Sequence, residues 1–213
     1  MYRISISTNG ILYSNEKVQK FIKKNEGKVS IGISIDGTKE KNDLQRVYPD
    51  GRGTYDDIAK NIKLWQKQFP DATTKVTIGH DDLPYIKESI IHLWNLGLKE
   101  IPANVVFENV WEEGDDVIFY NQLRELADYI IDNDMWEEYN TTLFTQGIGY
   151  PLSTEELGRN SCGTGNMIAV DASGNLYPCI RFMDYSLNKQ KGYITGNIYD
   201  RINIVDNRDV EEI

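Results

Sequence analysis

The sequence predicts an α/β fold, in which about four parallel β-α units form an open sheet or a partial (β/α) barrel and a small β-hairpin extension follows. Three observations predict it. Strand-like and helix-like segments alternate as far as residue 139, which is typical of parallel strands with right-handed crossovers. The alternation stops near residue 140. Two short strand-like runs joined by a Gly-containing turn then occupy 167–180. We therefore expect a boundary between 140 and 160.

The first unit is a strand followed by a helix. Residues 2–7 are rich in β-branched and aromatic side chains and stop at the turn pair at 9–10. Residues 14–28 carry apolar side chains at helical spacing, with Ser14 as the expected N-cap.

The second unit is more distinctive. Its strand, 29–37, is followed by a polar segment, 38–53, that is too long and too charged for a simple connection, so we expect it to be functional or disordered. The clearest helix, 54–70, begins with a predicted capping box between Thr54 and Asp57. An apolar stripe on this helix predicts core packing and consists of Tyr55, Ile58, Ile62, Trp65 and Phe69.

The third and fourth units comprise strands at 73–80 and 99–110 and helices at 83–97 and 115–139. Ligands of parallel α/β folds gather at the carboxyl ends of the strands. The polar residues expected at that rim are Thr8 to Gly10, Ser34 to Gly37, His80 to Asp82 and Asn104 to Asn109.

Composition limits the possible partners. The chain has 33 acidic and 23 basic residues and a formal net charge of −10, which disfavours nucleic acid and anionic membranes. It contains no apolar run long enough to span a membrane and no N-terminal secretory signal pattern. Two cysteines do not make a disulfide scaffold. We therefore expect a cytoplasmic protein.

Several chemically suggestive residues also have ordinary interpretations. Asp36 is either a catalytic carboxylate or part of a strand-end turn. His80 is either a ligand or general base, or a solvated loop residue. His92 is expected to be structural, and the acidic runs 112–116 and 132–138 are expected to be solvated. The residues alone predict an α/β domain with a polar rim and a small cysteine-bearing β unit.

The only cysteines, Cys162 and Cys179, flank the predicted hairpin. A disulfide, a metal site and plain burial all remain open from the residues themselves.

Two stretches carry a resemblance to a known family. "TNGILYS", followed by "ISIDGTKEKNDLQR", resembles the middle of a radical S-adenosylmethionine enzyme. In that superfamily a TNG strand end precedes a strand ending in S-[IL]-D-G and a loop that carries an Arg. The pattern Cys-x11-Gly-x4-Cys, from Cys162 through Gly174 to Cys179, is similar to the opening of the SPASM extension. The chain therefore resembles radical S-adenosylmethionine/SPASM peptide maturases, such as sulfatase-maturing enzymes, from about residue 2 to 200.

The resemblance implies a site and cofactors. It divides the chain into a partial radical S-adenosylmethionine barrel, 1–145, and the N-terminal part of a SPASM-like extension, 146–213. S-adenosylmethionine and 4Fe–4S clusters are the implied cofactors of the full-length parent, and a peptide or protein is its implied substrate. Cys162 and Cys179 match two thiolate ligands of an auxiliary cluster. The implied S-adenosylmethionine contacts are Ser34, Arg46, Asn9, Asp36 and Phe107.

The sequence also departs from the family pattern. The Cys-x3-Cys-x2-Cys motif, the Gly-Gly-Glu segment and the later SPASM cysteines are missing, whereas one 4Fe–4S cluster takes about four thiolates. We therefore expect a fragment shortened at both ends that is inactive and binds no cofactor by itself. Ile180 stands at the position where sulfatase-maturing members carry an Asp that acts as a base. This disfavours sulfatase maturation and favours another peptide modification, such as cross-linking.

Two other functions remain open. A non-catalytic α/β module could bind peptides, or form a homodimer, through exposed sheet edges. A free-standing hydrolytic or sugar-binding protein would use Asp36, His80 and Asp81, although no diagnostic spacing links these residues.

Overall fold

Residues 4–106, 108–145, 154, 167–183 and 192–199 are described by the computed structural model. The chain divides into two units, Met1–Gly149 and Tyr150–Ile213. Phe107 and Cys162, two of the predicted site residues, lie outside the described residues.

The first unit alternates strands and helices, as predicted. Its strands are β1 (Ile4–Thr8), β2 (Val29–Ile33), β3 (Val76–Ile78), β4 (Glu100–Ile101), β5 (Ala103–Val105) and β6 (Asn140–Thr141). Its α-helices are α1 (Glu16–Lys24), α2 (Lys39–Gln45), α3 (Tyr55–Gln68), α4 (Ile86–Asn95) and α5 (Asp115–Asp132). Two 3-10 turns cover His80–Tyr85 and Thr142–Phe144.

The strands of the first unit form three parallel pairs, β1 with β2, β3 with β5, and β4 with β6. The predicted parallel pairing is therefore confirmed, while the partial barrel stays a prediction. The predicted strand 99–110 is wrong as a single element. Pro102 interrupts it, because proline has no N–H to donate to a ladder, and the segments on either side pair with different strands.

Side chains connect β2 to β3 where no backbone ladder is described between them. The Thr74 hydroxyl accepts a hydrogen bond from the Ile35 N–H at 3.0 Å and donates to the Ile35 carbonyl at 3.0 Å. The Thr77 N–H donates to Asp36 Oδ1 at 3.2 Å. These bonds satisfy buried backbone groups that would otherwise cost free energy, and they hold the carboxyl end of β2 beside β3.

The core of the first unit confirms the α3 stripe. Ile58, Ile62 and Trp65 are buried, and Tyr55 and Phe69 are half-buried against them. Burying an aliphatic or aromatic side chain of this size stabilises a fold by roughly 1.5–3 kcal/mol.

Helix α5 buries only part of its apolar sequence. Leu126 is fully buried, but Ile131 is 63% exposed. Each residue turns a helix by about 100°, so the residue that follows the half-buried Ile130 lies away from the core.

Helix starts were predicted less well than helix interiors. The N-cap of α1 is Asn15 and not Ser14, and its side chain accepts the Lys17 N–H at 2.9 Å. The predicted capping box of α3 is wrong. Thr54 has helical backbone angles and its hydroxyl donates to the Arg46 carbonyl, while the Asp57 carboxylate pairs with other side chains.

The polar segment 38–53 is partly helical, so its helical part is not disordered, while its functional role stays a prediction. It contains α2, which starts at the N-cap Thr38. Lys41 and Asn42 of this helix are buried, at 1% and 0% exposure. The sequence did not predict this burial, because charged residues normally indicate a solvated surface, whereas this lysine has a buried partner.

The second unit contains the predicted hairpin. Strand β7 (Ala169–Val170) pairs antiparallel with β8 (Asn175–Tyr177), and β9 (Gly196–Asn197) joins the other edge of β8. Gly174 takes a left-handed φ of +83° in the turn, which glycine adopts without strain. A 3-10 turn, Ile180–Phe182, follows β8. Across the described ranges, no helix of either unit is long and apolar enough to cross a membrane.

Candidate functional site

A polar pocket of about 650 Å³ opens beyond the carboxyl ends of β2 and β3. Its volume is in the range of small-molecule sites. Four carboxylates and one guanidinium line it, together with His80, so the pocket is acidic overall. The charged residues are Asp36, Asp81, Asp82, Glu112 and Arg46.

Asp36 and Arg46 form an ion pair on one wall of this pocket. Asp36 is 5% exposed and accepts the Arg46 Nε–H through Oδ2. Its Oδ1 accepts the Thr77 N–H, and its own N–H donates to the Asn42 side chain at 3.3 Å. Asp36 therefore fixes the guanidinium by one edge. The Nη groups of Arg46 make no hydrogen bond to any described residue, so they can donate hydrogen bonds to an anionic group of a ligand.

A second ion pair adjoins the pocket, and the sequence did not predict it because it joins the polar segment to the turn after β3. Lys41 Nζ is 3.1 Å from Asp82 Oδ1 and donates to the Thr77 carbonyl at 2.7 Å. Asp82 Oδ2 accepts the Gly79 N–H at 2.7 Å. Both side chains are almost fully buried. This pair holds the segment after β3 in place.

His80 pairs with Asp115 on the opposite wall. The Nδ1–H of His80 donates to both carboxylate oxygens of Asp115, at 2.9 and 3.0 Å. Asp115 is 5% exposed and also accepts the Glu112 N–H at 2.8 Å. The prediction that the acidic run 112–116 is solvated is therefore wrong for Asp115, and His80 is a paired residue rather than an isolated loop residue.

This pairing shifts both pKa values. The hydrogen bond to Asp115 raises the pKa of His80 above 6.5, and the nearby Glu112 and Asp81 charges act in the same direction. The hydrogen bond from the Glu112 N–H, and to a smaller extent the one from His80, lowers the pKa of Asp115 below 3.8. Asp115 is therefore ionised at neutral pH.

The remaining predicted contacts lie elsewhere or outside the described residues. Ser34 and Asn9 are not among the described residues that line the polar pocket. The Ser34 N–H donates to the Thr8 carbonyl at 2.8 Å. Asn9 is exposed, and its side chain accepts the Ile11 N–H. The structure thus brings Asp36 and Arg46 together, and the roles of Ser34 and Asn9 stay predictions.

Cys179 is a half-buried free cysteine that begins the turn at Ile180–Phe182. Within the described ranges, no group of three or more His, Cys, Asp and Glu residues is arranged to hold a metal ion. The whole sequence has two cysteines, and a 4Fe–4S cluster takes about four thiolates. The two cysteines are therefore fewer than the thiolates that one such cluster takes.

A second pocket of about 440 Å³ adjoins the loop that precedes α5. Its apolar lining comes from Val105, Trp111 and Phe119, and the segment 112–116 runs along it. Glu112 lines both pockets, and Asp115 lines the apolar pocket while bonding His80 in the polar one.

Comparisons with known proteins show the fold. No protein-family model matches the chain, and no curated protein matches it. Among solved structures, native anSMEcpe with bound AdoMet matches with a TM-score of 0.64 and 22% identity, over 93% of this chain and 55% of that one.

Streptococcus suis SuiB provides two further matches. SuiB bound to its precursor peptide SuiA matches with a TM-score of 0.58 and 15% identity, over 94% of this chain and 46% of that one. SuiB bound to S-adenosylmethionine matches with a TM-score of 0.54 and 16% identity over the same shares. The chain spans about half the length of these proteins. The resemblance to radical S-adenosylmethionine/SPASM peptide maturases is thus confirmed at the level of the fold.

Proposed function

We propose that this chain is part of a radical S-adenosylmethionine enzyme that modifies a peptide or protein. The observation that carries the proposal is the fold match over 93% or more of the chain to proteins solved with S-adenosylmethionine and with peptides. The acidic pocket at the strand ends supports it, because ligands of such folds bind at that edge.

The polar pocket suits the charges of S-adenosylmethionine. The Nη groups of Arg46 would take the carboxylate of its methionine portion, with Asp36 holding the guanidinium in place. The surrounding carboxylates of Asp81, Asp82 and Glu112 would favour its ammonium and sulfonium cations. When bound beside a reduced 4Fe–4S cluster in a longer protein, S-adenosylmethionine would supply the radical chemistry that takes a hydrogen atom from a peptide.

The cluster ligands are a separate part of the proposal. Cys162 and Cys179 would supply two thiolates to an auxiliary cluster in a longer protein, and the remaining thiolates would come from outside the present sequence. The 213-residue chain by itself would bind S-adenosylmethionine weakly or not at all, and would not cleave it. We further propose a cytoplasmic location, since the clusters require reducing conditions.

Calorimetry tests the binding site. We expect a longer form of the protein to bind S-adenosylmethionine more tightly than S-adenosylhomocysteine, which lacks the sulfonium charge. Arg46→Gln should weaken binding by roughly 10- to 100-fold, the value of a charge-assisted hydrogen bond of about 1.5–3 kcal/mol. Arg52→Gln is the matched control, because Arg52 is exposed and pairs with Asp57 away from the pocket. If Arg46→Gln and Arg52→Gln bind S-adenosylmethionine equally well, Arg46 does not contact this ligand.

The reading frame upstream of Met1 tests the enzymatic part. A frame that encodes Cys-x3-Cys-x2-Cys should give a protein that, after anaerobic reconstitution with iron and sulfide, absorbs visible light and releases 5′-deoxyadenosine from S-adenosylmethionine under reducing conditions. A reconstituted protein that holds a cluster but releases no 5′-deoxyadenosine contradicts the proposal.

A peptide-binding role without chemistry is the second candidate. The observation that favours it is the apolar pocket lined by Val105, Trp111 and Phe119 beside an acidic loop, which could hold an apolar peptide side chain. Peptide binding that neither needs nor is altered by S-adenosylmethionine would support this role over the enzymatic one.

A further inference from the structure

We propose that His80 is a proton-transfer residue that serves a ligand in the polar pocket, with Asp115 as its positioning residue. The ligand class is a cationic molecule with a dissociable proton, such as a protonated primary amine. This inference depends on the pair and the pocket alone, so it can fail while S-adenosylmethionine binding succeeds, and the reverse.

The two oxygens of Asp115 fix the state of the His80 ring. Both lie within hydrogen-bond distance of Nδ1, at 2.9 and 3.0 Å. A carboxylate accepts and does not donate, so the proton of the neutral ring is on Nδ1 and the lone pair is on Nε2. Asp115 itself is immobilised by burial and by the Glu112 N–H. The ring is therefore held in one tautomer and one orientation.

The other nitrogen of the ring is available to a ligand. His80 lines the polar pocket, and its side chain is 36% exposed. Nε2 makes no hydrogen bond to any residue that the structure describes, and the nearest carboxylate oxygen given for it is Glu112 Oε2 at 3.9 Å. That distance is too long for a hydrogen bond but short enough for electrostatic stabilisation of a charged ring.

The charges around His80 favour its protonated form. Asp115 acts from the start of α5, Glu112 from the loop before it, and Asp81 from the turn of His80 itself. Across the pocket, the charge of Asp36 is offset by Arg46. The same carboxylates attract a cationic ligand to the pocket.

The proton transfer is simple and balanced. The Nε2 lone pair of the neutral ring takes the proton of an ammonium ligand, leaving a neutral amine and an imidazolium. Asp115 stays ionised and stabilises that imidazolium through the Nδ1–H bond, and the reverse step returns the proton. No electron is transferred to or from the ligand.

His92 provides an internal comparison, since the chain contains two histidines. Its Nε2 shares a hydrogen bond with the Tyr55 hydroxyl, and burial lowers its pKa. It therefore differs from His80 in having an Nε2 that is already hydrogen-bonded within a half-buried ring. A structural histidine of this kind should be unreactive at Nε2 where His80 is reactive.

Diethyl pyrocarbonate tests the availability of Nε2 in the full 213-residue chain. The reagent acylates neutral imidazole nitrogen, and mass spectrometry of proteolytic fragments reports each histidine separately. We expect His80 to be modified much faster than His92, with a pH profile whose midpoint lies above 6.5. Asp115→Asn should move that midpoint to lower pH, and Asp116→Asn, a change of an exposed carboxylate in the same turn, should leave it in place.

Glu112→Gln is the second variant, since the Glu112 side chain is 73% exposed and its change places little demand on folding. It should also lower the midpoint. An unreactive His80, or a midpoint that none of the carboxylate changes moves, overturns the proposal.

Nitrogen-15 NMR of the imidazole rings tests the tautomer and the ligand class. The neutral His80 ring should carry its proton on Nδ1, and ethylammonium should shift the Nε2 signal while acetate at the same ionic strength should not. A proton found on Nε2, or a response to acetate alone, contradicts the assignment. Neither result depends on S-adenosylmethionine.

Discussion

Replacing the buried Lys41 by methionine should be among the most damaging single changes in the first unit. The substitution keeps an unbranched chain of similar length and removes only the charge and its hydrogen bonds. Asp82, whose side chain is 9% exposed, then faces an apolar group in place of Nζ at 3.1 Å, and the Thr77 carbonyl loses its donor. Breaking a buried ion pair from one side costs about 3–5 kcal/mol. That is a large part of the roughly 5–15 kcal/mol that stabilises a typical domain.

Urea unfolding followed by tryptophan fluorescence measures this loss, since Trp65 and Trp94 are buried in the same unit. Lys20→Met is the control, because the Lys20–Glu16 pair is 74% and 80% exposed and should contribute less than about 1 kcal/mol. Adding Asp82→Asn to Lys41→Met should restore part of the stability, because no unpaired charge then remains buried. A loss below about 1 kcal/mol for Lys41→Met, or no recovery in the double variant, would refute this account of the pair.

Three further changes test other parts of the first unit. Gly37→Ala should destabilise by at least about 2 kcal/mol more than Gly51→Ala in urea unfolding, because a Cβ at Gly37 would lie 2.1 Å from Ser89 Cβ whereas one at Gly51 meets nothing within 4 Å. Burial lowers the pKa of His92 below 6.5, so the wild type should lose stability as the pH falls from about 6.5 through that lowered pKa, and His92→Gln should flatten this part of a melting-temperature profile. Trp65→Phe removes a 2.7 Å bond to a β2 carbonyl and should cost about 1–3 kcal/mol by the same urea assay, with an unchanged denaturation midpoint contradicting it.

The repeating pattern of apolar residues explains why the α/β order could be predicted. In α3 the apolar positions recur at helical spacing, and the same side chains are buried in the structure. The hairpin could be predicted equally well, because Gly174 marks a turn with a positive φ between two short strands. Both predictions depend on neighbours in the sequence, and that is the information that a sequence shows directly.

The rule that ligands bind at the carboxyl ends of parallel strands placed Asp36 and His80 at the predicted rim. Arg46, ten residues after Asp36, was predicted only from the family resemblance. His80 and Asp115 are 35 residues apart, and only the packing of α5 against the turn after β3 brings them together. Lys41 escaped prediction for a similar reason, because its partner comes from another part of the chain.

The break at Pro102 links two parts of the first unit mechanically. Strand β4, which ends just before Pro102, pairs with β6, and β5, which begins just after it, pairs with β3. The Pro102 carbonyl itself accepts the Val76 N–H at 2.8 Å. A displacement of either strand pair is therefore transmitted to the other through this short, rigid peptide. We expect the amide protons of both pairs to exchange with solvent through one cooperative local unfolding event.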